Sequence, residues 1–234
     1  MTTTANLARS SAYPRKTVTL AAAAAAAAAA MLCGAAVAVA PPASADGCPD
    51  VELVFARGTG EPPGVGRVGQ ALIDTLTPML GGRSLAAYPV NYPASINFLT
   101  TGSGATDAEN HLGAAAVACP ATQFVLGGFS QGAAVISMMA GVPPLGNTVG
   151  NLGSAPPMPP EAADQIAAVA VFGNPANRFG TPLSTTGLFA GKAIDVCNPG
   201  DPICVSGGRD RAAHNTYEFP PSITDASAFV AGRV

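Results

Sequence analysis

The 234 residues carry 11 Lys and Arg against 14 Asp and Glu, a formal charge of −3, with 48% hydrophobic side chains and no tryptophan. A mildly acidic chain without a basic cluster excludes a nucleic-acid-binding surface. It also has no electrostatic means of docking on an anionic membrane.

The first predicted element lies outside the fold. Arg9, Arg15 and Lys16 precede an apolar stretch from Val18 to Ala40 that contains ten consecutive alanines, and Ala43-Ser44-Ala45 follows as a small-x-small cleavage site. That order reads as a secretory signal peptide over residues 1–45, removed in the mature protein. A membrane anchor is the competing reading, since the run is long enough to span a bilayer. Cys33 falls inside this segment and leaves with it. The mature chain, 46–234, loses three basic residues and no acidic one, reaching a charge of −6, and has the length of a single domain. Its expected location is extracellular or at the cell envelope, as a monomer without stable membrane insertion. Cys48, Cys119, Cys197 and Cys204 remain, an even count that reads as two disulfides with three possible pairings. Their spacings are not those of a zinc site, and no metal or cofactor is expected.

Five apolar runs follow in chain order: 51–56, 84–92, 122–128, 166–173 and 192–197. Most are continuous rather than alternating, as in parallel strands buried on both faces. Helical segments are expected near 65–80, 104–118, 131–140 and 222–231, and the alternation predicts a three-layer α/β domain. "GVGRVG", Gly64 to Gly69, matches the dinucleotide pattern GxGxxG. Two prolines and about eight residues separate it from the preceding strand, however, and no acidic residue stands near position 89 to hold a ribose. "GVPPLGNTVGNLGSAPPMPP", 141–160, is too rich in Gly and Pro for regular structure; it either wraps the surface or lies beside the active site, and the surface wrap is the favoured reading, because nothing in it looks chemical.

The third run ends in "GGFSQGAA", which places Ser130 between Gly128 and Gly132 just before an apolar helix. That is the context of a nucleophile elbow. Such a serine needs a histidine to take its proton and a carboxylate to orient that histidine, following in the order Ser, acid, His. Only two histidines exist. His111 precedes Ser130, on a predicted helix, and reads as a surface residue. His214 follows the last predicted strand, where the base belongs. Asp195 lies within that strand and reads as structural. Asp201 stands in the turn "CNPGDPIC", between Cys197 and Cys204, which are close enough to bridge and hold it rigid. Asp201 is therefore the expected acid, with Asp210 as runner-up.

With these pieces in place the chain resembles the cutinases, most closely the bacterial cutinase-like serine esterases. The matching stretches are "FARGTGEPPG" (55–64), "GGFSQGAAV" (127–135), "VFGNP" (171–175), "CNPGDPIC" (197–204) and His214. The resemblance implies a small α/β-hydrolase, a three-layer sandwich with a five-stranded parallel sheet and no true lid. It also implies the pairings Cys48–Cys119 and Cys197–Cys204. An oxyanion hole would use the N–H of Gln131 and, by the same resemblance, the N–H and hydroxyl of Thr59. Many relatives read Ser-Thr-Glu where this chain has Thr59-Gly60-Glu61.

The expected chemistry is ester hydrolysis through an acyl-enzyme on Ser130, with His214 as base and Asp201 orienting it. A neutral His214 is required, so activity should rise from mildly acidic to neutral or slightly alkaline pH. Loops 92–104 and 201–214 should flank the serine, with Ile96, Phe98, Leu99 and Val205 forming an acyl crevice for short- to medium-chain esters. A lipase, phospholipase or thioesterase on the same residues, and an exported binding protein on a silent scaffold, are the alternatives.

Overall fold

The computed structural model describes residues 47–146, 153 and 155–234, all within one unit of the chain. The leader and its cleavage site lie outside them, as does the middle of the Gly/Pro-rich segment. Five strands form one sheet: β1 (Val51–Ala56), β2 (Leu85–Pro89), β3 (Gln123–Phe129), β4 (Ile166–Phe172) and β5 (Ala193–Val196). Every pairing is parallel, in the order β2-β1-β3-β4-β5.

Parallel neighbours need crossovers, and helices supply them. The helices are α1 (Gly66–Leu76), α2 (Thr101–Ala118), α3 (Gln131–Met139), α4 (Pro160–Gln165), α5 (Pro175–Arg178) and α6 (Ser222–Ala231). Alternate side chains of β1 divide between two cores. Val51, Leu53 and Phe55 pack with Leu72 and Leu76 of α1 and Ile223 and Val230 of α6. Val54 and Ala56 pack with Leu112 of α2, Ile136 of α3 and Ala162 of α4. The result is a three-layer α/β-hydrolase sandwich. α3 is buried along its whole length, which explains why its sequence is apolar all round rather than amphipathic.

Pro89 closes β2, an edge strand, where its missing N–H costs no bond to β1: the next N–H, that of Val90, still donates to the Phe55 carbonyl at 3.0 Å. The short helices α4 and α5 were not expected. α4 begins at Pro160, a residue whose fixed φ suits a first helical position. The described part of segment 141–160 departs from a surface wrap. Val142 is buried and Ala155 and Met158 pack against the core, because this stretch must cover the apolar ends of α2 and α3.

Two disulfides bind the chain. Cys48–Cys119 joins the start of the sheet to the end of α2 across 71 residues, and Cys197–Cys204 closes a short ring after β5.

Candidate active site

β3 runs directly into α3, leaving one residue for the change of direction. Ser130 makes that turn with φ 53° and ψ −113°, a conformation that side-chain-bearing residues rarely adopt. Its N–H donates to the Phe172 carbonyl at 2.9 Å, fixing the turn to β4. A Cβ on Gly128 would stand 2.4 Å from the Gly132 carbonyl oxygen. The two glycines therefore permit a bend that any larger residue would prevent.

Three side chains meet there from separate parts of the sequence. Ser130 Oγ lies 2.9 Å from His214 Nε2, and His214 Nδ1 lies 2.8 Å from Asp201 Oδ2. His214 sits on a single 3₁₀ turn, Ala213–Asn215. Asn198 Nδ2 donates to the Ala213 carbonyl at 2.8 Å and holds that turn in place. Asp201 is fully buried. Burial pushes its carboxyl up, but hydrogen bonds from His214, Tyr217 and the Ile203 N–H outweigh it, so the group titrates below the ordinary carboxylate range. Tyr217 Oη donates to Asp201 Oδ2 and accepts the Asn198 N–H at 3.0 Å. Burial, and then the Asp201 carboxylate, push the phenol far up, so it remains a donor.

Among the described residues the N–H groups of Thr59 and Gln131 have no acceptor. The Thr59 hydroxyl donates instead to Gln131 Oε1 at 2.9 Å. Gln131 Nε2 in turn donates to Thr101 Oγ1 at 3.0 Å, and the Thr101 hydroxyl to the Phe98 carbonyl. The Thr59 side chain thus braces the floor of the site and leaves the backbone donor open.

The family model named Cutinase matches residues 47–234, the whole of the sheet and both loops that carry these groups. The chain belongs to the cutinase family. It is a serine carboxylic ester hydrolase. Among its relatives, "Probable carboxylesterase Culp3" of Mycobacterium tuberculosis is 52% identical over 196 residues, covering 83% of this chain and 72% of that one. "Phospholipase Culp4" of the same organism is 52% identical over 198 residues, 84% of each chain. The solved Trichoderma reesei cutinase in complex with a phosphonate inhibitor is 32% identical with a TM-score of 0.60, over 79% of this chain and 76% of that one.

Beside Ser130 this cutinase has a narrow crevice of about 150 Å³, lined by Phe98, Thr101, Gln131, Ala134, Leu145, Pro175 and Ile203. Of the four residues expected to hold an acyl chain, only Phe98 is among them. Ile96 and Leu99 are 86% and 69% exposed. In the 3₁₀ turn Phe98–Thr100, residues three apart eclipse one another, so Phe98 and Thr101 share the crevice while their neighbours face away. Val205 is half-buried outside the crevice and its neighbour Ile203 lines it instead. Leu145, from the segment expected to wrap the surface, forms part of the wall.

The remaining candidates have other partners. Asp210 accepts the Ala212 and Ala213 N–H groups and so caps the His214 turn. Asp195 accepts the Leu183 and Ser184 N–H groups. His111 is half-buried, stacks on Tyr88 and pairs with Glu52, away from the site. Tyr217 was not foreseen; the sequence offered only its position three residues past His214. Among the described residues no cluster of His, Cys, Asp or Glu could hold a metal ion.

Proposed function

We propose that the protein is an exported, monomeric esterase that cleaves short- to medium-chain acyl esters through Ser130, His214 and Asp201. The observation that carries this reading is the unbroken hydrogen-bonded chain from Ser130 Oγ through His214 to the buried Asp201 carboxylate. In the tautomer with Nδ1–H donated to Asp201, Nε2 is free to accept the Ser130 proton as Oγ attacks the ester carbonyl. Tyr217 and the Ile203 N–H hold the carboxylate so that it orients the ring rather than taking its proton. The N–H groups of Gln131 and Thr59 receive the oxyanion. His214 then passes its proton to the leaving alcohol, and a water activated by the same nitrogen releases the acid and restores Ser130.

A crevice of about 150 Å³ is below the size of ordinary drug-binding pockets, which favours short acyl groups. Export would follow cleavage after Ala45, leaving residues 46–234 as one domain outside the cell or at its envelope. The two disulfides suit that location. Among the described residues no helix is long and apolar enough to cross a membrane.

The test is turnover of p-nitrophenyl esters of increasing acyl length by the wild type and Ser130→Ala. Saturable turnover that the substitution abolishes, with an optimum at short chains, is expected. An inactive wild type, or an equally active Ser130→Ala, would overturn the reading. Because the relative named a phospholipase matches as well as the one named a carboxylesterase, phospholipids and thioesters belong in the same panel.

A further inference from the structure

The motif "GVGRVG" plays no part in the chemistry above, yet its turn holds an anion of the protein's own. The Glu61 carboxylate, two residues past Thr59, lies at the start of α1 and accepts the N–H of Arg67 at 3.0 Å and that of Gly58. A Cβ on Gly66 would stand 2.5 Å from Glu61 Oε2, so that glycine is what admits the carboxylate. The arrangement uses the affinity of a helix N-terminus for negative charge to fasten the loop that carries Thr59.

Arg67 then reaches across the site. Its Nη1 donates to the Asn215 carbonyl at 3.0 Å and pairs with Glu218, while its Nε stands 3.7 Å from Glu61. The guanidinium lies 4.9 Å over the ring of Phe129, the residue immediately before the nucleophile. Phe129 in turn packs at 5.0 Å against the His214 ring. A Cβ on Gly58 would come within 2.6 Å of Phe129, which places the Thr59 loop directly on the same ring.

One cation therefore touches the loop of Thr59, the residue preceding Ser130 and the turn that bears His214. We propose that Arg67 is a positioning residue that sets the spacing between the oxyanion donor at Thr59 and the base His214, and so controls turnover without binding substrate. The inference builds on the function proposed above. Displacements of about an ångström in such a constellation cost on the order of 100-fold in rate, and a planar guanidinium holds several acceptors at fixed angles in a way an ammonium does not.

The experiment compares kcat and KM for p-nitrophenyl butyrate, with thermal melting, in Arg67→Ala, Arg67→Lys, Glu218→Gln and the control Arg233→Ala. Arg233 also lies over an aromatic ring, that of Phe229, but beyond the C-terminal end of α6. Arg67→Ala is expected to lower kcat by roughly 10- to 100-fold with KM within about twofold. Arg67→Lys and Glu218→Gln should fall between it and the wild type, and Arg233→Ala should match the wild type. Should Arg67→Ala fail to fold, the Lys and Gln variants carry the comparison. A kcat unchanged in the folded Arg67 variants, a change confined to KM, or an equal loss in Arg233→Ala would overturn the proposal. Ser130→Ala is run alongside: activity surviving in it would overturn the esterase reading itself, whatever the Arg67 variants do.

Discussion

Gly132 lies so close to Ala56 that a Cβ on it would stand 1.8 Å from the Ala56 carbonyl oxygen. The first turn of α3 is thereby pressed onto the end of β1, and neither backbone can retreat without disturbing the sheet. Gly132→Ala should destabilise the fold by more than ~3 kcal/mol, above the usual cost of an overpacked core side chain. Urea melts and soluble yield check this; a variant as stable as the wild type would mean that the elbow is more compliant than its contacts indicate.

Ser130 itself sits in a backbone conformation better suited to glycine. Strain of this kind is worth ~1–3 kcal/mol at functional sites. Of two inactive variants, Ser130→Gly should therefore melt above Ser130→Ala, and calorimetry on the pair reads the difference directly. The ordinary preference, Ala over Gly, is predicted to be reversed here.

Tyr217→Phe removes the hydroxyl between Asp201 and Asn198. It leaves the half-buried Asn198 N–H without a partner and the buried Asp201 carboxylate one donor short, at a cost of ~1–3 kcal/mol. The pH dependence has a definite sign. A carboxyl held below its ordinary range stabilises the fold above its unfolded pKa, and that contribution is lost as pH falls through the folded value. With one donor fewer, Asp201 titrates higher, so the acid-unfolding midpoint of Tyr217→Phe should move to higher pH. Circular dichroism along an acid titration measures it.

Glu109, on α2, is almost fully buried, and among the described residues neither carboxylate oxygen has a hydrogen-bond partner. Burial raises its pKa from 4.5 to about 7. Here the folded value is the higher one, so the native state binds the extra proton and stability declines as pH rises through that interval. At about 1.4 kcal/mol per pH unit the decline approaches ~3 kcal/mol. Glu109→Gln should flatten this slope and be the more stable protein at pH 8, as denaturant melts at pH 5 and pH 8 would reveal.

The two disulfides should separate stability from activity. By chain entropy the bond across a separation of 71 residues is worth about 4 kcal/mol and that across a separation of 7 about 2 kcal/mol. Cys48→Ser with Cys119→Ser should chiefly lower the melting temperature. Cys197→Ser with Cys204→Ser should chiefly lower kcat, because the ring encloses Asp201. Equal effects of the two pairs on kcat would count against that division.

Much of the site was legible because its constraints are few and severe. Two histidines and a fixed chain order left His214 as the candidate base, the bracketing cysteines singled out Asp201 as the candidate acid, and the fold brings both to Ser130. The sheet was legible because strands buried on both faces need continuous apolar runs. The crevice was not. Its walls depend on which way a 3₁₀ turn throws Phe98 and Leu99, and on Leu145 arriving from a segment without periodicity. Nor could Tyr217 or Arg67 be read, because their roles depend on where a side-chain tip ends after crossing more than one element.

β3 is the middle strand of the sheet, with β1 on one side and β4 and β5 on the other. On the proposed mechanism, the negative charge born on the carbonyl oxygen is met by the Thr59 N–H on the β1 side and the Gln131 N–H at the head of α3, and the proton that leaves the serine is taken up on the β5 side. Because Arg67 contacts both flanks, a change on one is felt on the other, whereas the crevice between Phe98 and Ile203 has no Arg67 in its lining and is free to adapt to new acyl groups.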